Sequence, residues 1–287
     1  MESRHVPLRH LRAAIFWALC GIGLVLIIAP AIDIIVSVLA VAAPALKPSL
    51  ITQTTSGGQL GLQNAITGTL VLSVGVLLTA GPVGILAGLY IAEFAPPRVA
   101  STARFFSEVL AGVPSIVIGY VGYVVLVVGL HWGFSLLGGI LALGSLILPY
   151  IVKTTELAFS SVPRTLREGA IALGLSRGRM IRKALLPPAL PGIVSGLVIA
   201  MAISTGETAP LLFTAGFSDA NPTLSLMHNP VGYLTGVTYN DLVLPGAGYA
   251  ALANAAAGVT ILLVLLLIFG GRLVTRRSRV MIARMDV

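Results

Sequence analysis

The sequence contains little charge. Charged residues make up 10% of the 287 residues, whereas hydrophobic residues make up 56%. A soluble domain carries about 25% charged residues, so this composition excludes an ordinary soluble protein and predicts an integral membrane protein. Aromatic residues are also few, at 6%, while the chain has 32 glycines. That balance favours close helix packing through small residues over aromatic-lined cavities.

Further absences restrict the function. Cys20 is the single cysteine, which excludes an intrachain disulfide and a cysteine-based metal cluster. The chain has no G-x-x-x-x-G-K-[ST] phosphate loop, so we expect it not to hydrolyse ATP itself. No Ser-His-Asp arrangement or metal-ligand cluster stands out. We therefore expect a non-enzymatic chain that has no cofactor and no metal of its own.

Six hydrophobic runs are each long enough to cross a bilayer as a helix, which takes about 20 residues. They cover roughly residues 14–42, 65–92, 105–130, 133–152, 189–213 and 248–271. The first run is too long for a signal-peptide core, so we expect it to be retained. The sequence thus predicts an all-α membrane protein with a six-span domain over residues 14–272 and tails at 1–13 and 273–287.

The positions of the cations predict the orientation of the spans. Every Lys and Arg except Lys47 lies in one of the two tails, directly before the second tail at Arg272, or in the segments 93–104 and 153–188. Cytoplasmic segments are rich in Lys and Arg, so both termini are expected to be cytoplasmic. Because topology accounts for the net charge of +8, we do not interpret it as nucleic-acid binding. Segments 43–64 and 214–247 are expected to be ordered external loops with short helices.

The segment 153–188, called the basic loop below, is predicted to contain two short amphipathic helices. Ser160 and Ser161 are expected to cap the first helix, with Pro163 in its first turn, where a missing N–H has no cost. Spacings of four and three give this helix one apolar face. The residues of that face are Leu166, Ala170 and Leu173.

The second helix of the basic loop is delimited by small residues and prolines. Gly174 is expected to end the first helix in the left-handed conformation, and Ser176 to begin the second. Pro187-Pro188 are expected to stop the second helix. Such a helix pair must bury its apolar faces against lipid head groups, against the same chain or against a soluble partner.

Three acidic residues lie within the apolar runs, where a charge costs a few to more than ten kcal/mol. Asp33 is interpreted as a packing or interface group, and Glu108 as the partner of Arg104 one helical turn away. Glu207 lies in a polar stretch of the fifth run, in the order Ser204, Thr205, Gly206, Glu207, Thr208 and then Ala209-Pro210. We expect a local helix break there, because Pro210 frees a carbonyl.

Two interpretations of Glu207 remain open. It is either a buried hydrogen-bonding group between helices, or part of a substrate path together with the hydroxyls of Ser204, Thr205 and Thr208. Pro114-Ser115 in the third run predict a kink. That kink either moves during transport, and so belongs to the path, or only shapes the packing.

The basic loop resembles the coupling loop of ABC importer permeases. Its residues follow the E-A-A, G, I-x-x-x-x-L-P signature, with glycine in place of the middle alanine. The matching residues are Glu168, Gly169, Ala170, Gly174, Ile181, Leu186 and Pro187. The resemblance implies that these residues, with Arg167, dock into a cytoplasmic ATPase.

Three further segments resemble the A-type permeases of phosphate-specific (Pst) importers. They are GETAPLLFTA from Gly206, LAGVPS over residues 110–115 and YIAEF over residues 90–94. The resemblance implies a type I ABC importer permease in the bacterial inner membrane that translocates inorganic phosphate. It also implies a second permease, two ATPase subunits that bind ATP and Mg, an external phosphate-binding protein and surrounding lipid.

One position departs from that family. Ile203 stands where the family has an arginine three residues before the glycine of G-E-T. The positive charge for an anion would then come from the second permease. Glu207 would either pair with that arginine or accept hydrogen bonds from protonated phosphate oxygens. The alternatives are an ABC permease for another oxyanion or small solute, a secondary transporter or channel driven by an ion gradient, and a non-transporting membrane scaffold.

Overall fold

The computed structural model describes residues 6–56, 59–223, 225–244 and 246–283. Within these ranges, five helices are long and apolar enough to cross a membrane, and a bent helix pair makes a sixth span if counted as one. This confirms the predicted all-α architecture. The ends of both predicted tails, including Arg4 and Arg284, lie outside the described residues.

The helices follow one another with short connections. In chain order they are α1 (Val6–Ala42), α2 (Pro48–Thr52), α3 (Gln63–Glu93), α4 (Pro97–Ala111), α5 (Ser115–Gly122), α6 (Leu136–Ser160), α7 (Arg164–Ala172), α8 (Arg177–Met180), α9 (Leu186–Gly206), α10 (Ala209–Thr214), α11 (Leu234–Val243) and α12 (Ala247–Ala283). A 3₁₀ turn covers Ala43–Ala45, and π-helical segments cover Tyr123–Gly129 and Ile181–Leu185. Two short antiparallel strands, β1 (Thr54–Ser56) and β2 (Gln59–Leu62), pair Thr54 with Leu62.

The core lies between the second, fourth and fifth spans. Leu72 and Val76 of α3 pack there against Leu143 and Ile147 of α6 and Ala200 of α9. α1 is peripheral, because its side chains are almost all exposed and its main packing partner is α12. Large aliphatic side chains therefore cover the outside of the bundle, as expected of a surface in contact with lipid tails.

The third span is not the single run predicted over residues 105–130. It is broken at residues 112–114, and the two halves are bent by 94°. The first half, α4, begins at Pro97, inside the segment predicted to be a loop. Pro114 has φ −55° and ψ 136°, which is incompatible with a continuing helix. The predicted kink at Pro114 is thus confirmed as a complete break.

The basic loop differs from the prediction at both of its boundaries. Ser160 ends α6, Ser161 is its C-cap residue, and Pro163 directly precedes α7, so the predicted serine cap is wrong. Pro187-Pro188 do not stop the second helix either. They lie in the first turn of α9, and one helix runs from Arg177 to Gly206. The π-helical segment before them ends with the Leu186 N–H donating to the Ile181 carbonyl five residues back.

The end of the bundle away from the basic loop is closed by the two longest connections. The side chain of Asn64 donates to the carbonyl of Ser218, and the backbone N–H of Leu234 donates to Thr69 Oγ1 at 2.9 Å. Both Asn64 and Thr69 lie on α3 and are buried. These contacts fix the described part of segment 214–246, called the closing loop below, onto the second span, in agreement with the predicted ordered loop and its short helix, α11.

Candidate functional site

The fifth span is interrupted at Glu207. α9 ends at Gly206, Glu207 has extended backbone angles (φ −77°, ψ 138°), and α10 begins at Ala209. The hydroxyl of Thr235 on α11 donates to the Glu207 carbonyl at 2.8 Å. This bond replaces a helical one that the break removes, so the predicted local break is present and is supported by the closing loop. Residues 204–208 are called the polar notch below.

The accessible part of the polar notch is Gly206, Glu207 and Thr208. Glu207 and Thr208 are half-buried and Gly206 is exposed, with open space where a Cβ would lie. Within the described residues, neither the Glu207 carboxylate nor the Thr208 hydroxyl has a hydrogen-bond partner. A carboxylate inside a span that has no partner among the described residues is available to a substrate or to a second subunit.

Ser204 and Thr205 face inwards. Both are buried, and both hydroxyls donate to the carbonyl of Met201, at 3.0 and 2.8 Å. A hydroxyl has one proton, so Ser73 of α3 must be the donor to Thr205 Oγ1 across 3.1 Å. In this structure these two residues tie the fifth span to the second, and their role in the substrate path stays a prediction. Ser73 was missed because nothing in the sequence indicates its contact with Thr205.

The two broken spans pack against each other. A Cβ at Gly119 on α5 would lie 2.8 Å from Cα of Pro210 on α10, and one at Gly122 would lie 2.7 Å from Thr214 Cγ2. The order of these contacts shows that α5 and α10 run parallel. Ser115 and Gly206 each lie four residues before the Gly119–Pro210 contact. The break at Pro114-Ser115 and the polar notch therefore both precede this contact in their own spans.

Ile203 occupies the position at which an arginine was expected from the resemblance. It is partly buried and packs against the apolar core between the second, fourth and fifth spans. Pro210 also lacks an N–H, and α10 has six residues, so the start of this helix offers few free donors to an anion. The polar notch of this chain thus offers a carboxylate and hydroxyl groups to a ligand, and Ile203 adds no positive charge.

Two ion pairs at the basic-loop end replace the predicted pair between Arg104 and Glu108. Arg104 Nε lies 2.6 Å from Glu156 Oε1, and Lys153 Nζ lies 3.5 Å from Glu108 Oε1. The prediction failed because α6 brings two charges across from another span. These pairs join α4 to α6 beside a cavity of about 170 Å³.

The first helix of the basic loop, α7, and the residue after it expose large apolar side chains. Leu166 is 43% exposed, Ile171 65% and Leu173 81%, whereas Ala170 is buried. The predicted apolar face is therefore divided, with Ala170 packed on the same chain and the leucines outside. Gly174 has φ +70°, which confirms the predicted left-handed helix end.

The other residues of the coupling signature occupy two environments. Glu168 and Gly169 are exposed, and a Cβ at Gly169 would meet nothing within 4 Å. Leu186 and Pro187 are half-buried in the first turn of α9. Arg167 turns inwards towards Glu93. The exposed members are the ones available to a partner protein.

Two acids lie close together at the opposite end of the molecule. Asp241 on α11 is 8% exposed, and burial together with the charge of Asp219 raises its pKa from 3.8 to about 6. Burial also raises the pKa of Asp219. Neither carboxylate has an ion-pair partner within the described residues.

Comparison with known proteins extends these observations. The family described as "Binding-protein-dependent transport system inner membrane component" matches residues 84–280. The phosphate transport system permease protein PstA 2 of Mycobacterium bovis is 46% identical over 266 residues, covering 93% of this chain and 88% of the relative. The probable phosphate transport system permease protein PstA of Methanocaldococcus jannaschii is 35% identical, covering 93% and 92%.

Two solved structures share the fold. A bacterial alginate ABC transporter, crystallised with a periplasmic protein that holds an alginate pentasaccharide, superposes with a TM-score of 0.67 at 17% identity, covering 96% of this chain and 98% of that one. The inward-facing MetNI methionine ABC transporter gives a TM-score of 0.59 at 21% identity, covering 76% and 94%. At these identities the likeness concerns the fold alone, and it confirms the predicted permease architecture.

Proposed function

Because this chain belongs to the family of binding-protein-dependent transport system inner membrane components, we propose that it is the permease subunit of an ATP-driven importer of inorganic phosphate. The chain is a multi-pass membrane component of a transport system. The observation that supports phosphate as the substrate is the 46% identity, over 93% of the chain, to a permease named for phosphate transport.

The proposal includes the partners that this chain needs. A second, non-identical permease completes the path, two ATPase subunits bind ATP and Mg beneath α7, and an external phosphate-binding protein delivers the anion to the closing loop. The assembly lies in the bacterial inner membrane with both termini of this chain in the cytoplasm. Support comes from the exposed Leu173 and Ile171 on the basic loop, which a soluble partner would cover.

In this proposal the polar notch lines the path. The Glu207 carboxylate accepts hydrogen bonds from protonated phosphate oxygens, or pairs with an arginine of the second permease. Sulfate carries no proton at neutral pH, so a carboxylate that needs donors discriminates against it. The positive charge that balances the anion comes from the second permease, since Ile203 gives none here.

Uptake of labelled phosphate by the reconstituted complex tests the proposal. We expect uptake to require ATP. Unlabelled phosphate should inhibit the uptake of labelled phosphate, whereas sulfate or molybdate at the same concentration should not. Equal competition by sulfate or molybdate would assign the chain to another oxyanion. Uptake that follows an ion gradient without ATP would identify a secondary transporter.

A further inference from the structure

Arg167 joins α7 of the basic loop to the transmembrane bundle through an ion pair and hydrogen bonds to backbone carbonyls. Its Nη2 lies 2.6 Å from Glu93 Oε1, and its Nε lies 3.5 Å from Glu93 Oε2. The same guanidinium donates to the carbonyls of Phe159 and Val162, each at 2.7 Å. The Arg167 side chain is 23% exposed and that of Glu93 is 9% exposed.

These acceptors belong to different spans. Glu93 is the last residue of α3, and Phe159 lies one residue before the end of α6. The carbonyls at the end of a helix lack partners within it and carry partial negative charge. Arg167 therefore donates hydrogen bonds both to a carbonyl at the end of the fourth span and to the Glu93 carboxylate at the end of the second span.

Little else holds α7 in place. Its one buried residue is Ala170, whose methyl group covers little surface. By contrast, the π-helical segment after α8 contributes Ile181 and Leu185 to an apolar cluster with Phe159, and Met180 of α8 packs against it. The second helix of the basic loop is thus fixed by packing, whereas the first depends mainly on Arg167.

We propose that Arg167 is a positioning residue that makes α7 and the inner ends of the second and fourth spans move as one body. This inference rests on the proposed function, in which α7 receives the movement of an ATPase. Lysine cannot replace arginine here, because an ammonium group lacks the planar fork that reaches Glu93 and two carbonyls together.

Simultaneous measurement of ATP hydrolysis and phosphate uptake in the reconstituted complex tests this role. In Arg167→Ala the exposed surface of α7 is unchanged, so the ATPase still binds and hydrolyses ATP. Phosphate transported per ATP falls roughly tenfold, the ratio equivalent to about 1.4 kcal/mol. Arg167→Lys gives an intermediate ratio. Arg164→Ala is the matched control, since Arg164 lies on the same helix, is exposed and has no partner within the described residues.

Arg167→Ala leaves the Glu93 carboxylate buried without a partner, which threatens folding. The double variant Arg167→Ala/Glu93→Gln removes that stranded charge and is the decisive test. A wild-type ratio of phosphate to ATP in the double variant would overturn the proposal. Loss of ATPase binding in it would also overturn it, because Arg167 would then act in docking.

A distance measurement separates this proposal from the function on which it rests. Spin labels at Thr165→Cys and Leu86→Cys, both exposed positions, report the distance from α7 to α3 after Cys20 is replaced by serine. In the full chain in lipid, the double variant should broaden this distance distribution, and Arg164→Ala should not. An unchanged distance distribution would overturn the positioning role of Arg167, whether or not the complex transports phosphate.

Discussion

Asp241 offers a quantitative test of how the closing loop is built. It lies on α11, is 8% exposed, and has no hydrogen bond or ion pair with another described residue. Burial and the charge of Asp219 raise its pKa from 3.8 to about 6. The folded protein therefore holds this proton more tightly than the unfolded chain does. Between pH 3.8 and about pH 6, the free energy of unfolding decreases as the pH rises, because the buried carboxyl loses its proton.

The size of the effect follows from the pKa shift. The pKa of Asp241 rises by roughly two units, and each unit is equivalent to about 1.4 kcal/mol. The loss in free energy of unfolding at pH 7 therefore has an upper limit of about 3 kcal/mol. Asp241→Asn is neutral at every pH, so it should stabilise the protein by up to that amount at pH 7 and not near pH 4. Asp219→Asn should give a smaller gain, because the charge of Asp219 is the lesser cause of the shift.

Thermal unfolding of the detergent-solubilised chain from pH 4 to pH 8 measures this difference. The upper limit of about 3 kcal/mol corresponds to a rise in Tm of at most roughly 6–12 °C for a protein of this size. Glu168→Gln is the control, since it makes the same change from carboxyl to amide at an exposed position. An equal midpoint shift at pH 4 and pH 7, or no shift at either, would refute the reasoning.

Three further predictions concern transport. Glu207→Gln should abolish phosphate uptake while the complex still assembles on affinity purification; full uptake would remove the site assignment. Gly119→Leu should force α5 away from Pro210, lowering stability by about 1–3 kcal/mol and reducing uptake, whereas Gly112→Ala, with no contact under 3.4 Å, should do neither. Leu173→Asp should prevent co-purification of the ATPase, because it places a charge in the proposed docking surface; an intact complex would contradict that surface.

The sequence predicted the features that depend on local chemistry. Hydropathy located the spans, Pro114 predicted the break in the third span, and Gly174 predicted a left-handed helix end. The polar residues around Glu207 predicted the break in the fifth span. Each of these follows from backbone geometry or from the cost of polar groups in lipid, and both can be judged within a few residues.

The errors concern contacts between distant segments. Arg104 pairs with Glu156 and Lys153 with Glu108 because α6 lies against α4, which no local spacing reveals. Ser73 and Thr235 support the polar notch from other helices and were missed for the same reason. The expected stop at Pro187-Pro188 is a local error instead: both prolines directly follow a π-helical segment and lie in the first turn of α9, so the helix continues.

That continuity has a mechanical consequence. The helix from Arg177 to Gly206 contains 30 residues and is therefore about 45 Å long. It begins within the basic loop and ends at the polar notch, so one continuous helix connects these two regions. A tilt of about 5° around its basic-loop end displaces Gly206 by roughly 4 Å, more than the diameter of a water molecule. Glu207 directly follows this helix and has extended backbone angles, so a movement of α9 reaches α10 only through a non-helical link.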